Sequence, residues 1–206
     1  MVKIVCLGDS ITDCGRCFEP CGLGNGYVRF LADKLLESGA ECEVMNQGVD
    51  GFTLARLTGN VKEYTDLRGD IITILIGIND IGLMMNTDRT LEQKEKMQVH
   101  FTELYDGLLT ILSKCTDKLI LMEPFVFPYP ARLKSWIPYV RTMSESIQSL
   151  AAKYDAPYLL LHEELNAQAR RYGLDALTTD GIHLTRQGQK FLADKLFDCI
   201  SSHEYV

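Results

Sequence analysis

No run in this 206-residue chain is apolar over the about 18–20 residues a membrane-spanning helix needs. Basic residues are also in short supply. Twenty-one Lys and Arg face 28 Asp and Glu, for a formal net charge of −7. Nucleic acid and anionic membrane both reward positive charge, so neither is an expected partner. The opening MVKIVCLGDS is apolar for only a few residues and lacks the long apolar region and small-residue cleavage site of a signal peptide. The expectation is a cytoplasmic protein or a mature form. Internal repeats, low-complexity stretches and long charge runs are missing, which leaves one domain over 1–206 as the expectation. No GxGxxG follows the first apolar run, so a phosphate cradle of that kind is not foreseen. Cysteine is not scarce, but its arrangement is uninformative. Cys6, Cys14, Cys17, Cys21, Cys42, Cys115 and Cys199 make an odd number. The Cys14/Cys17/Cys21 cluster has no second CxxC or HxxxH to complete a metal site. Free thiols are expected, with no metal and no cofactor.

What is present is a buried core in alternating pieces. Hydrophobic residues make up 46% and charged residues 24% of the chain. VKIVCL (2–7), ECEVMNQG (41–48), DIITILIG (70–77), KLILMEPF (118–125) and PYLLL (157–161) are short apolar runs that predict five strands. Between them, apolar residues recur at helical spacing: Tyr27, Phe30, Leu31 and Leu35, stopped by Gly39; Leu54, Leu57, Val61 and Tyr64 on one face; Met97 through Leu112; and Ile137 through Leu150. A last helix begins near Thr185, a suitable N-cap, and runs through Ile200. Buried strands alternating with helices predict an α/β fold: a three-layer α/β/α sandwich around a flavodoxin-like, five-stranded parallel sheet. Such sheets collect ligand chemistry beyond the carboxyl ends of their strands.

Those ends carry Gly8-Asp9-Ser10-Ile11-Thr12, Asn46-Gln47-Gly48 with Gly51, Gly77-Ile78-Asn79-Asp80 and, before the last helix, Asp180-Gly181-Ile182-His183. Together they offer a hydroxyl, an imidazole, a carboxylate, a side-chain amide and glycine N–H groups, the requirements for acyl transfer through a serine ester. Ser10 is weakly nucleophilic until a base takes its proton. His183 suits that task, since an imidazole with a pKa near about 6.5 can accept and return a proton at neutral pH. Asp180, three residues earlier, can bond Nδ1–H and fix the tautomer. The oxyanion needs donors, here the Asn79 amide and the N–H groups of Ser10 and Gly48.

Each residue also has a plainer role to weigh. Ser10 and Asn79 are turn-formers, His183 can cap a helix, and Gly48 and Gly51 can serve only to allow positive φ. His162 is the one rival base among four histidines; its plain role is a polar residue ending the fifth strand. Asp9 and Asp80 are expected to shape loops. Arg16 and Arg56 either touch substrate or, the favoured choice, brace those acids. Met84, Met85, Phe125, Phe127, Tyr129 and Trp136 default to core packing, although Tyr129 and Trp136 are candidates for an aromatic wall at the site, in this chain or across a homo-oligomer. Two other functions stay open. A metal phosphoesterase would use Asp9, Asn79, Asp180 and His183, but the GNH run such enzymes carry is absent. The other is a non-catalytic binding module.

GDSIT, the later Gly48, GIND around Asn79 and DGIH around His183 resemble, in order and spacing, the four blocks of SGNH (GDSL-like) hydrolases, over residues 4 to about 190. The resemblance implies the catalytic roles above for Ser10, Gly48, Asn79, Asp180 and His183. GDSITDCGR, GNGYV (24–28) and NQGVDGFTLARL (46–57) are further similar to intracellular carbohydrate acetylesterases, including those that deacetylate xylo-oligosaccharides. That implies a small-molecule acyl ester as substrate, an O-acetylated sugar, with Arg56, Tyr129, Trp136, Thr179 and Ile182 as candidate contacts. Thr179 stands where the most similar esterases carry a bulkier aromatic residue, a departure that bears on the acyl or sugar group preferred. The alternative is a thioesterase or lysophospholipase acting on longer chains at the same site.

Overall fold

The computed structural model describes residues 1–116 and 118–206. Five parallel strands, β1 (Val2–Gly8), β2 (Cys42–Gly48), β3 (Ile71–Leu75), β4 (Lys118–Met122) and β5 (Tyr158–Leu159), form one sheet in the order β2-β1-β3-β4-β5. This is the flavodoxin-like order, with the chain reversing its direction of travel across the sheet after β2. The middle strands β1, β3 and β4 are almost wholly buried, as expected where helices cover both faces. Helices α2 (Tyr27–Glu37) and α10 (Arg186–Ser202) pack together on one side, and α3 (Leu54–Gly59), α6 (Leu91–Leu112) and α7 (Ile137–Lys153) are packed in succession on the other.

Local chemistry fixes the helix ends. Thr185 caps α10 through its hydroxyl, which accepts from Gly188 N–H at 3.2 Å. Thr90 and Gln93 form a reciprocal capping box at the start of α6. Three expectations need correction. The face shared by Leu54, Leu57, Val61 and Tyr64 is divided between α3 and α4 (Val61–Asp66), which meet at Gly59-Asn60. The fourth and fifth strands are shorter than their apolar runs. The Leu161 and His162 N–H groups turn to the buried Glu123 carboxylate, at 2.6 and 2.7 Å, rather than extending a ladder. His162 therefore does not end a strand; it opens α8 (His162–Tyr172), a mostly polar helix with too few apolar residues to announce itself.

Ile74 lies at the middle of the sheet and is fully buried. Ile74→Ala should cost about 2–5 kcal/mol through lost burial and the cavity left behind, read as a lower urea midpoint at an unchanged m-value.

Candidate active site

Only Asp9 separates β1 from Ser10, which opens α1 (Ser10–Asp13), a single turn capped by that Asp9, whose Oδ1 accepts from Ile11 N–H at 3.0 Å. Its Oγ lies 2.9 Å from His183 Nε2, across 173 positions of sequence. His183 Nδ1 lies 2.7 Å from Asp180 Oδ2, and the other Asp180 oxygen accepts the N–H groups of Ile182 (2.9 Å) and His183 (2.8 Å). Burial works to raise the Asp180 carboxyl, but the bonds from the His183 ring and these two amides outweigh it and hold the group below its ordinary value. Asp180 is thereby favoured in its ionised form, in which it can accept a hydrogen bond from the His183 Nδ1–H. The site is open: the His183 and Asp180 side chains are 48% and 50% exposed.

β1 and β2 are locked together beneath Ser10. Asn46 is buried in β2, and its amide donates to the carbonyls of Thr12 (2.7 Å), Leu23 (2.8 Å) and Asp13 (3.2 Å). Asp13 answers from α1, accepting Arg16 N–H and Asp50 N–H at 3.0 Å each. The amide and carboxylate thus pin the Ser10 turn to the loop after β2. Asn46 and Asp13 were not among the expected site residues; a lone buried Asn in an apolar strand was the available signal.

Gly48 requires a correction. Its N–H is already donated to Asn46 Oδ1 at 2.9 Å, and its carbonyl takes Arg16 Nε at 2.6 Å. It is glycine because α1 runs against it: a Cβ would meet Asp13 N at 2.2 Å and Thr12 C at 2.6 Å. Gly51, three residues on, sits in an exposed turn at φ +71°, and its N–H has no partner among the described residues. Asn79, near the start of α5 (Ile78–Met85), donates one Nδ2 hydrogen to Phe52 O at 2.9 Å, leaving the second free to act. Its neighbour Asp80 accepts Leu54 N–H at 3.0 and 3.3 Å. Together they moor the Gly51 turn to the end of β3.

Other candidates scatter. Arg16 holds the Gly48 carbonyl rather than an acid, and Arg56 is exposed on the first turn of α3. The Thr179 N–H and hydroxyl both reach the His183 carbonyl, at 3.0 and 3.4 Å, and Ile182 is half-buried beside the pair. Tyr129 is exposed, with its carbonyl packed against Gly181. Trp136 is only 4% exposed, lies against Gly82 and carries the Arg132 guanidinium over its ring, so in this chain it packs as core and offers little face to a ligand. Phe125, Phe127 and Met84 are core too. His162, the rival base, is buried with Nδ1 accepting from Val126 N–H at 3.4 Å, and burial lowers its pKa.

Hydroxyl, imidazole and carboxylate in hydrogen-bonded file recur on unrelated folds; what narrows the class here is the place of Ser10 one residue beyond the first strand of a parallel sheet. The chain is a carboxylic ester hydrolase. It belongs to the GDSL-like lipase/acylhydrolase family, whose profile matches residues 6–191. An acetylxylan esterase from Geobacillus stearothermophilus is 28% identical over 203 residues, covering 93% of this chain and 90% of that protein. Among solved structures, one from Parabacteroides merdae bearing the name GDSL-like lipase matches at a TM-score of 0.84 and 24% identity, covering 98% of this chain and 95% of its own. An α/β hydrolase from the metagenome of Lake Arreo, Spain, matches at 0.81 and 24%, covering 97% and 95%. These two likenesses show the fold.

Gly48→Ala should collapse activity and stability together, whereas Gly51→Ala should fold, losing about 1–2 kcal/mol for a left-handed alanine; thermal unfolding separates them. Burial pushes the Asp9 carboxyl to about 7, aided by Asp80 and Asp50 and opposed by Ile11 N–H and His183; burial likewise raises Asp80 to about 6, opposed by Leu54 N–H. An unfolded carboxyl ionises near about pH 4. As pH rises from there to about 7, the unfolded chain sheds protons that the folded one retains, so these groups make stability fall across that window. Asp9→Asn should flatten the decline relative to wild type in urea midpoints taken at pH 5 and 7.5.

Proposed function

We propose that the chain hydrolyses short acyl esters, acetyl in particular, on carbohydrate, with Ser10 as nucleophile, His183 as base and acid, and Asp180 as the partner that orients it. The observation that carries this reading is the unbroken file from Ser10 Oγ to His183 Nε2 (2.9 Å) to Asp180 Oδ2 (2.7 Å). In the first half-reaction, His183 Nε2 takes the Ser10 proton as Oγ bonds to the acyl carbon. The tetrahedral adduct collapses, and the sugar oxygen leaves with that proton. Water then repeats the sequence on the acyl-serine, releasing the acid and returning the proton to Ser10. Negative charge builds on the former carbonyl oxygen in both halves. The donors proposed for it are Ser10 N–H, Gly51 N–H and the second Asn79 amide hydrogen; Gly51 replaces Gly48, whose N–H is spent on Asn46.

Two observations favour a carbohydrate ester. The half-exposed Asp180 and His183 leave room for a bulky polar leaving group. The similar Geobacillus enzyme is an acetylxylan esterase, and structures of its catalytic mutants replace a serine and a histidine. Tyr129, Arg56, Thr179 and Ile182 are the proposed contacts at the rim. Seven unpaired thiols suit a reducing, cytoplasmic setting.

A panel of acetylated xylo-oligosaccharides and 4-nitrophenyl esters of rising chain length, with Ser10→Ala as control, tests the proposal. Acetyl should be preferred, and Ser10→Ala should lower kcat by at least about 10³-fold with the fold intact. Preference for C8 or longer chains would favour the thioesterase or lysophospholipase alternative, and an active Ser10→Ala enzyme would falsify the mechanism. Asn79→Ala should lower kcat by about 10²–10³-fold with little change in KM, because its donor acts mainly in the transition state.

A further inference from the structure

Asp180 and His183 must be held to within a fraction of an ångström, yet half of each side chain faces solvent. Packing around the side chains therefore cannot aim them, and the aim has to come from the backbone that carries them. That backbone is a short loop between α9 (Leu174–Leu177) and α10, closed by an antiparallel bridge between Thr178 and Leu184. Inside it, one buried polar side chain touches both halves. Thr178, 4% exposed, donates its hydroxyl hydrogen to the His183 carbonyl at 2.7 Å and accepts Gly181 N–H at 2.9 Å.

We propose that Thr178 is a positioning residue for the Asp180–His183 pair, its hydroxyl clasping the loop from within. The proposal rests on the reading of His183 as the base. One bond fixes the carbonyl of His183 itself. The other fixes the amide next after Asp180, so the two catalytic groups are referred to one buried atom. The hydroxyl's single hydrogen and an acceptor lone pair are both in use, and an apolar side chain of equal size could supply neither bond. Outside the loop, Phe127 N–H donates to the Gly181 carbonyl at 2.9 Å, and the Tyr129 carbonyl sits so close that a Cβ on Gly181 would lie 1.7 Å from it. The loop is thus pressed on the chain after β4 and clasped within, which leaves the catalytic side chains free to face substrate. Thr179 alone does not replace the clasp, because both its bonds go to the His183 carbonyl and neither reaches Gly181.

The test compares Thr178→Val, which keeps the volume and deletes both bonds, with Thr178→Ser, which keeps both. For 4-nitrophenyl acetate, Thr178→Val should lower kcat by about 10–100-fold with KM unchanged to about twofold, as expected when an orienting partner is lost. Fluorophosphonate labelling of Ser10 should slow in parallel. Proton NMR supplies a readout independent of turnover: the downfield ring N–H of His183, bonded to Asp180, should be present in wild type and Thr178→Ser and lost in Thr178→Val. Thr178→Ser should keep kcat within about threefold of wild type. If Thr178→Val fails to fold, Thr178→Cys, with a weak thiol donor in the same space, carries the same expectation. Wild-type kcat and an intact ring resonance in Thr178→Val would overturn the clasp, as would equal damage in the Ser and Val variants. An esterase still active as Ser10→Ala would instead sink the catalytic reading, while the ring resonance would continue to judge the clasp.

Discussion

A single hydrogen bond, 2.9 Å long, joins a hydroxyl at the tenth residue to an imidazole at the 183rd, and much of the fold serves to keep that distance short. β1 places Ser10 at the carboxyl edge of the sheet, and the loop that leads into α10 brings His183 to the same edge. The fastening between them is Gln189, on the second turn of α10 and buried. Its carbonyl accepts Tyr27 N–H at 2.8 Å and its amide donates to the Ile11 carbonyl at 3.4 Å. The helix that follows His183 is thereby bonded to the turn that presents Ser10. Tyr27 closes the circuit, with its hydroxyl 3.0 Å from that of Thr12.

Around Ser10, the polar groups that the tight turn would strand have been given partners. Three carbonyls near the Ser10 turn converge on the Asn46 amide, and the Gly48 peptide is occupied on both faces. A buried carbonyl or amide left unpaired costs about 1–3 kcal/mol, so this network stabilises the site as well as shaping it. Asp9 is the expensive member. It caps α1 from a nearly inaccessible position, and burial carries its carboxyl to about 7. The helix-capping oxygen that the turn needs is bought with a charge the interior resists.

How much of this could be read beforehand differs by kind of feature. The five strands and their parallel sense followed from apolar runs separated by helical periodicity, because burial on both faces leaves a continuous apolar signature. The placement of Ser10, Asn79, Asp180 and His183 near strand ends or before a helix cap was legible because such polar chemistry is scarce there. Helix α8 was not, since its contact with the core rests on few apolar side chains and on the Glu123 carboxylate, which comes from the segment just after β4. The aromatic residues after β4 look alike on paper. Only the packing separates Tyr129, left exposed, from Trp136, covered by Arg132 and set against Gly82.

The amino-acid sequence by itself determined the fold class and the residue types that meet at the sheet edge, because periodicity and strand-end chemistry are local properties. It could not show that the Gly48 N–H is spent on Asn46 while the Gly51 N–H has no partner among the described residues, nor mark Thr178 or Asn46. Those assignments depend on which hydrogen bonds are already spent, and that is decided by groups tens of residues away. Whether an N–H is free or a hydroxyl clasps a loop exists as a fact only once the chain has closed on itself.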